Sequence, residues 1–195
     1  MPPSQRGCWV ADSLATDRLV LRPPTADDLP FLLAEMNTPM VMRYLGGEVF
    51  TEADVTSRLQ ADIDAFGRDD GWKRWTIFRR DDNARVGRCG LFRVRMKAAP
   101  DALRGQPEIG WTLAEAYWGK GFATEAARAV LNHAFADLPE VYAQTSDSNA
   151  ASTRVMQRLG FERRHDLGYV DPDYPPRDNP TTVWSLTTDA WGTHG

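Results

Sequence analysis

Residues 108–135, EIGWTLAEAYWGKGFATEAARAVLNHAF, concentrate the features best able to hold an anion. A β-rich run ends in a turn carrying Gly119 and Gly121, and the turn opens into a segment of helical period. The first N–H groups of a helix have no intrahelical partner and sit at the positive end of its dipole. Glycines let backbone come close to a ligand. In form this is a phosphate cradle, although strand, Gly turn and helix also occur as a plain connection. The Walker pattern GxxxxGK[ST] fails, because Ala114 stands where its first Gly belongs and Gly121 follows Lys120. The dinucleotide pattern GxGxxG fails at Thr124. A nucleoside triphosphate or NAD is therefore disfavoured.

The elements around this segment can be read from pattern. Residues 19–21, Leu-Val-Leu between Arg18 and Arg22, form a strand that Pro23 and Pro24 stop. Thr25 and Asp28 cap a helix over residues 27–36. Thr51 opens a second helix, with Val55, Leu59, Ile63 and Phe66 on one face. Residues 75–80 and 86–94 form a hairpin about the turn at 81–84, and residues 96–106 an exposed loop. A strand over 108–113 leads to the clearest helix, from Thr124, where Ala127, Val130, Leu131, Ala134, Phe135 and Leu138 share a face until Pro139. A strand at 141–145, a helix over 149–159 with Gly160 as left-handed cap, and strands at 162–167 and 182–186 follow. Strand, helix, strand in close order implies a parallel crossover.

Composition bounds the rest. The chain has 195 residues, 42% hydrophobic and 26% charged, enough for a buried core and far from a disordered composition. The expectation is a flexible segment over residues 1–15 and a single domain over 16–190. Net charge is −4, with no basic window suited to nucleic acid. Cys8 and Cys89 lack metal or disulfide spacing, so no metal site is expected. The N-terminus carries no apolar targeting core and no run approaches a membrane span, which suggests a cytoplasmic protein.

Three stretches together resemble the GNAT superfamily of acyl-CoA-dependent N-acetyltransferases, and within it the RimJ/RimL-like branch. They are TDRLVLRPPTADD, EIGWTLAEAYWGKGFATEA and SNAASTRVMQRLGF, in the family's order over most of the chain. The family's (Q/R)xxGx(G/A) signature has Trp118 at its first position, with Gly121 and Ala123 retained. The resemblance implies an α/β (α+β) fold: a mixed, twisted, mostly antiparallel sheet flanked by helices, with a βαβ cofactor-binding unit. Its fourth and fifth strands splay apart to admit the pantetheine arm of acetyl-CoA.

By the same resemblance, Trp111, Thr112 and Leu113 offer backbone contacts to the arm and the thioester carbonyl. Trp118, Gly119, Lys120, Gly121, Phe122, Ala123 and Thr124 surround the pyrophosphate, with Lys120 either adding charge or simply solvated. Asn149 and Ser152 match the family's N-x-x-S facing the cofactor; Asn149 equally suits a plain helix cap. The implied activity is acetyl transfer to a primary amine, a protein N-terminus or a small molecule. The alternative is a non-catalytic acyl-CoA-binding module.

Glu108 is the first candidate base and Asp171 the second, each with an alternative as an ordinary paired or surface carboxylate. Ser152 is proposed to protonate the leaving thiolate, since the helix over 149–159 has no Tyr. Asp171, Asp173 and Asp178 in the acceptor loop favour a cationic acceptor or serve only to solubilise it. His165 reads as a structural or surface residue. The exposed face of the sheet and seven Trp leave room for a homodimer.

Overall fold

The computed structural model describes residues 12–68 and 70–193. One sheet of eight strands has the order β1-β2-β3-β4-β5-β6-β8-β7. Its strands are β1 (Leu14–Ala15), β2 (Leu19–Arg22), β3 (Arg74–Arg79), β4 (Arg85–Arg93), β5 (Pro107–Leu113), β6 (Glu140–Ser146), β7 (Glu162–Arg163) and β8 (Thr181–Thr187). All pairs are antiparallel except β5 with β6. Of the segment expected to be flexible, residues 1–11 and Cys8 with them lie outside the described residues, whereas Leu14 and Ala15 pair with Leu21 and Val20.

The helices are α1 (Leu29–Phe31), α2 (Pro39–Met42), α3 (Glu52–Phe66), α4 (Phe122–Ala134), α5 (Ala150–Leu159) and α6 (Thr188–Gly192). No helix among the described residues is long and apolar enough to cross a membrane. The apolar face of α4 packs Ala126, Ala127, Val130, Leu131 and Ala134 into the main core with Leu19, Leu21, Ile77, Val86 and Ile109. Alanines there let the helix sit close to the sheet, and α5 adds Met156 and Leu159. On the opposite face, Leu32 and Met36 meet Val55 and Leu59 of α3 in a smaller core.

Three expectations change. The loop over 96–106, expected to be exposed, buries Ala99 and Leu103 against Val94, Tyr142, Leu167 and Val183 in a third core. The helix expected over 27–36 is a 3₁₀ turn (Ala26–Asp28), α1 and a π turn (Leu32–Met36) in series. Its last bond runs from the Asn37 N–H five residues back to the Leu32 carbonyl, while the Asn37 side chain holds both backbone groups of Phe50 at 2.8 Å. The strand expected over 162–167 stops at Arg163, because the Leu167 N–H folds back onto the Arg164 carbonyl and Arg164 pairs with Asp166.

The start of the chain is fastened by Asp28, buried at 1% exposure. Its carboxylate accepts from Thr76 Oγ1 at 2.7 Å, Arg85 Nε at 2.6 Å and the Thr25 N–H at 3.1 Å, tying the 3₁₀ turn to β3 and β4. Asp28→Ala leaves these donors unpaired and is expected to lower stability by about 3 kcal/mol, read as a lower urea midpoint with an unchanged m-value.

Candidate active site

The site follows from how β5 meets its two neighbours. Against β4 it is paired over its whole length, from Pro107 to Leu113. Against β6 it shares a single register pair, Glu108 with Tyr142. The two strands part beyond that point. The Ala114 N–H donates to the Val86 carbonyl on the β4 side at 3.0 Å. Alternation then turns the backbone groups of Trp111 and Leu113 away from β4 and into the opening. Thr112 faces Arg88 of β4 instead. Of the three backbone contacts expected here, alternation leaves Trp111 and Leu113 facing the gap.

The opening widens into a cleft of about 1070 Å³, above the usual range for one small ligand. The cleft is lined at one end by Trp118, Gly119, Gly121, Phe122, Ala123 and Thr124. The helix begins at Phe122, two residues earlier than expected, because Gly121 is its N-cap at φ 81°. Gly119 is likewise left-handed at φ 72°, and a side chain there would meet nothing within 4 Å. Such backbone is strained for other residues and turns consecutive N–H groups outward. Thr124 Oγ1 is buried with no partner, and no carboxylate of this loop points in, which suits an anion. Lys120 is absent from the lining; its amine lies over the Tyr117 ring at 5.5 Å. The Trp118 indole N–H donates to the Leu113 carbonyl at 2.8 Å and ties the loop to β5.

Sequence reasoning missed the clamp beneath this loop. Arg18 donates through Nε to Glu125 at 2.7 Å and through Nη1 to the Lys120 carbonyl at 3.1 Å, and its guanidinium covers Phe122 at 4.7 Å. Burial works against the charge of Glu125, but hydrogen bonds from Thr16 and Arg18 outweigh it and hold the carboxyl below its ordinary value. Glu125 is thereby neutralised beside the anion cradle. The only signal for it was an Arg before the first strand and a Glu in the first turn of α4, 107 residues apart.

Asn149 caps α5, accepting the Ser152 N–H at 3.2 Å, and both residues line the cleft. At the apex of the opening, Glu108 is buried at 4% exposure and its Oε2 has no hydrogen-bond partner. Burial pushes its carboxyl up to about 7, against the pull of Gln144 and Arg74. Gln144 accepts from the Tyr169 hydroxyl at 2.9 Å, and its Nε2 is buried without a partner.

Asp171 joins the same cluster. Burial first, then the charges of Asp171 and Glu108, raise the hydroxyls of Tyr169 and Tyr174. Asp171 is shaped by its loop, accepting the Asp173 N–H at 3.1 Å while its backbone meets Asn179. Asp178 is committed elsewhere, to Ser148 Oγ at 2.8 Å and to Arg43 and Arg177, and Asp173 is exposed. Of the three loop acids, Asp171 and Asp178 line the cleft, and Asp171 is the one whose charge acts on both tyrosine hydroxyls. The Cys89 thiol, raised to about 12 by burial, offers no thiolate nucleophile, and His165 is exposed.

The folded state holds the Glu108 proton more tightly than an unfolded chain does. The residue therefore costs nothing below pH 4.5, its ordinary value, and increasingly more up to about pH 7. Above that its full penalty is roughly 3 kcal/mol. Glu108→Gln is expected to melt above the wild type at pH 8, with the difference vanishing toward pH 4.5; thermal unfolding at both pH values reads this directly.

Comparisons with known proteins agree with this architecture. A family model described as an acetyltransferase (GNAT) domain matches residues 18–162. The chain is 28% identical over 176 residues to YoaA of Bacillus subtilis (strain 168), an uncharacterized N-acetyltransferase, covering 89% of this chain and 95% of that one. It is 27% identical over 184 residues to the FsC-acetyl coenzyme A-N(2)-transacetylase of Aspergillus fumigatus, covering 92% and 77%. The fold matches RimL, a ribosomal L7/L12 α-N-protein acetyltransferase solved with coenzyme A, at TM-score 0.73 and 18% identity over 92% of this chain and 99% of that chain. With the family model spanning most of the sheet and both helices of the cleft, the chain belongs to the GNAT acetyltransferase family.

Proposed function

We propose that the protein transfers an acetyl group from acetyl-CoA to a primary amine, a protein N-terminus or a small molecule. The observation that carries this reading is the opening between β5 and β6. It joins an outward-facing backbone edge, an anion cradle and a buried carboxyl in one continuous cleft. Two structures that share the fold, RimL and an aminoglycoside acetyltransferase, were solved with coenzyme A, and both names imply amine acceptors.

Acetyl-CoA supplies an acyl carbon already bonded to a good leaving group. The chain's own groups supply the rest. N–H groups from Gly119 to Thr124 hold the pyrophosphate at the start of α4, the Trp118 N–H being taken by the Glu115 carbonyl. The N–H of Leu113, turned into the gap, donates to the carbonyl oxygen as negative charge gathers there. The amine nitrogen bonds to the acyl carbon as the C–S bond breaks. One amine proton passes to Glu108, directly or through water, and the sulfur takes a proton from Ser152 or solvent.

The proton balance favours this division of work. Deprotonating an α-amine at pH 7 costs about 1 kcal/mol, and a lysine roughly 4.6 kcal/mol. A carboxyl near 7 is matched to accept from the former. Asp171 supports the site by adding negative charge near Glu108.

Thermal unfolding with acetyl-CoA, CoA and ATP in parallel tests the cradle. Acetyl-CoA and CoA are expected to raise Tm and ATP to leave it unchanged. At 100 times Kd the gain is about 2.7 kcal/mol. Thiol release with a panel of amines then separates an enzyme from an acyl-CoA-binding module, which would bind without turnover. In the enzyme, kcat/KM is expected to rise with pH through an apparent pKa near 7. Glu108→Gln should remove that limb and lower kcat at pH 8 by about 100-fold; an unchanged profile would exclude Glu108 as the base.

A further inference from the structure

The acceptor side of the cleft has a second charged wall that acetyl transfer to a simple amine does not use. Arg74 on β3 and Arg88 on β4 both line the cleft, and both reach Asp62 of α3. Arg88 pairs with Asp62, and its Nε is buried without a partner. Arg74 reaches the same Asp62 oxygen only at 3.9 Å and remains 38% exposed. Arg85 beside them is taken by Asp28. Asp28 takes Arg85 and Asp62 takes Arg88, which leaves Arg74, the most exposed of these three guanidiniums, with only its 3.9 Å approach to Asp62.

The sheet aims that charge along a trough toward Glu108. Arg74 lies opposite Gly90 in β4, and Gly90 lies opposite Gly110 in β5. Neither glycine admits a side chain. A Cβ at Gly90 would stand 2.5 Å from Arg74 Cα, and one at Gly110 would stand 2.7 Å from the Phe92 ring. Phe92 thus floors the row left clear by the two glycines, and the Arg74 guanidinium lies 5.2 Å from its centroid. Phe92 is also the residue directly opposite Glu108. Arg74 and Glu108 stand two strands and two residues apart on one face, roughly 12 Å between Cα atoms at ordinary strand spacings. With both side chains reaching in, a molecule a few atoms long spans the remaining gap. Met36, Val41 and Phe50 add apolar wall to the same cleft.

Resting on the acetyltransferase reading, we propose that the acceptor is a small amino acid type molecule. Its amine meets Glu108 while its carboxylate is held by Arg74, with Arg88 behind. A guanidinium binds a carboxylate through two parallel hydrogen bonds, which fixes orientation as well as affinity. The carboxylate supplies the negative charge that this wall lacks, and the apolar wall accommodates an uncharged side chain.

The test compares matched acceptors, L-phenylalanine against 2-phenylethylamine and L-methionine against 3-(methylthio)propylamine, by thiol release from acetyl-CoA. The wild type is expected to favour the carboxylated member of each pair. In Arg74→Gln the ratio of kcat/KM for acid over amine should fall about 10- to 100-fold, mainly through KM. Arg74→Lys should restore part of it. Because each ratio compares two substrates on one enzyme, any effect of Arg74 on Glu108 itself cancels. A wild type that prefers the carboxylate-free amines, or an Arg74→Gln ratio equal to that of the wild type, would overturn the proposal. Should Arg74→Gln fail to fold, the wild-type pairs and Arg74→Lys still decide it. Thiol release from no amine of either kind would overturn the acetyltransferase reading instead, whereas release from the amines alone sinks only the carboxylate site.

Discussion

The parting of β5 and β6 is the constraint on which the rest of the molecule turns. A sheet gains stability by pairing every backbone group, and an unpaired buried N–H or carbonyl is costly. Here β5 is fully paired on the β4 side and meets β6 at one register pair only. A filled core lies behind the opening. α4 and α5 pack Ala126, Val130, Leu131 and Met156 into the core that also takes Ile109 of β5 and Val141 of β6. The cleft thus carries an unpaired backbone edge beside a filled core, and a ligand with its own polar groups is the natural partner for that edge.

The electrostatics of the cleft follow from the same geometry. Glu108 stands at the apex, where the strands are still together, so it is enclosed and its carboxyl is raised. A few residues further along the surface opens, and the loop at the start of α4 offers N–H groups instead of carboxylates. The acid in the first turn of α4, Glu125, is drawn away by Thr16 and Arg18. The two ends of the cleft therefore differ in sign, one suited to phosphate and the other to an amine. On the acceptor side Arg74 adds a further change of sign across the glycine row.

Several parts of this arrangement were legible in the chain because they rest on local rules. The hairpin of β3 and β4, the apolar face of α4, the Asn149 cap and the Gly160 end of α5 all appear where periodicity and capping residues put them. Gly119 and Gly121 marked the cradle because left-handed backbone demands glycine. Other parts obeyed longer-range competition. The first helical segment became three kinds of helix, its last turn widened where Asn37 is held by Phe50. The strand after Phe161 was cut short by a turn built on Arg164 and Asp166, a local ion pair whose strength against continued pairing no pattern reveals.

By itself the sequence determined the order and kind of the main elements, the glycine turn before α4 and the family resemblance, since each depends on residues close together in the chain. Tertiary structure alone decided which carboxylates matter. Asp171 and Asp178 look alike in sequence, yet Asp171 faces the Glu108 cluster, whereas Asp178 is consumed by Ser148 and two arginines. Arg18 met Glu125 across 107 residues, and Arg74 met a row of glycines from two other strands. Charge acts through space and is set by burial and by neighbours from distant parts of the chain, so the role of an ionisable side chain is fixed only when the sheet is assembled.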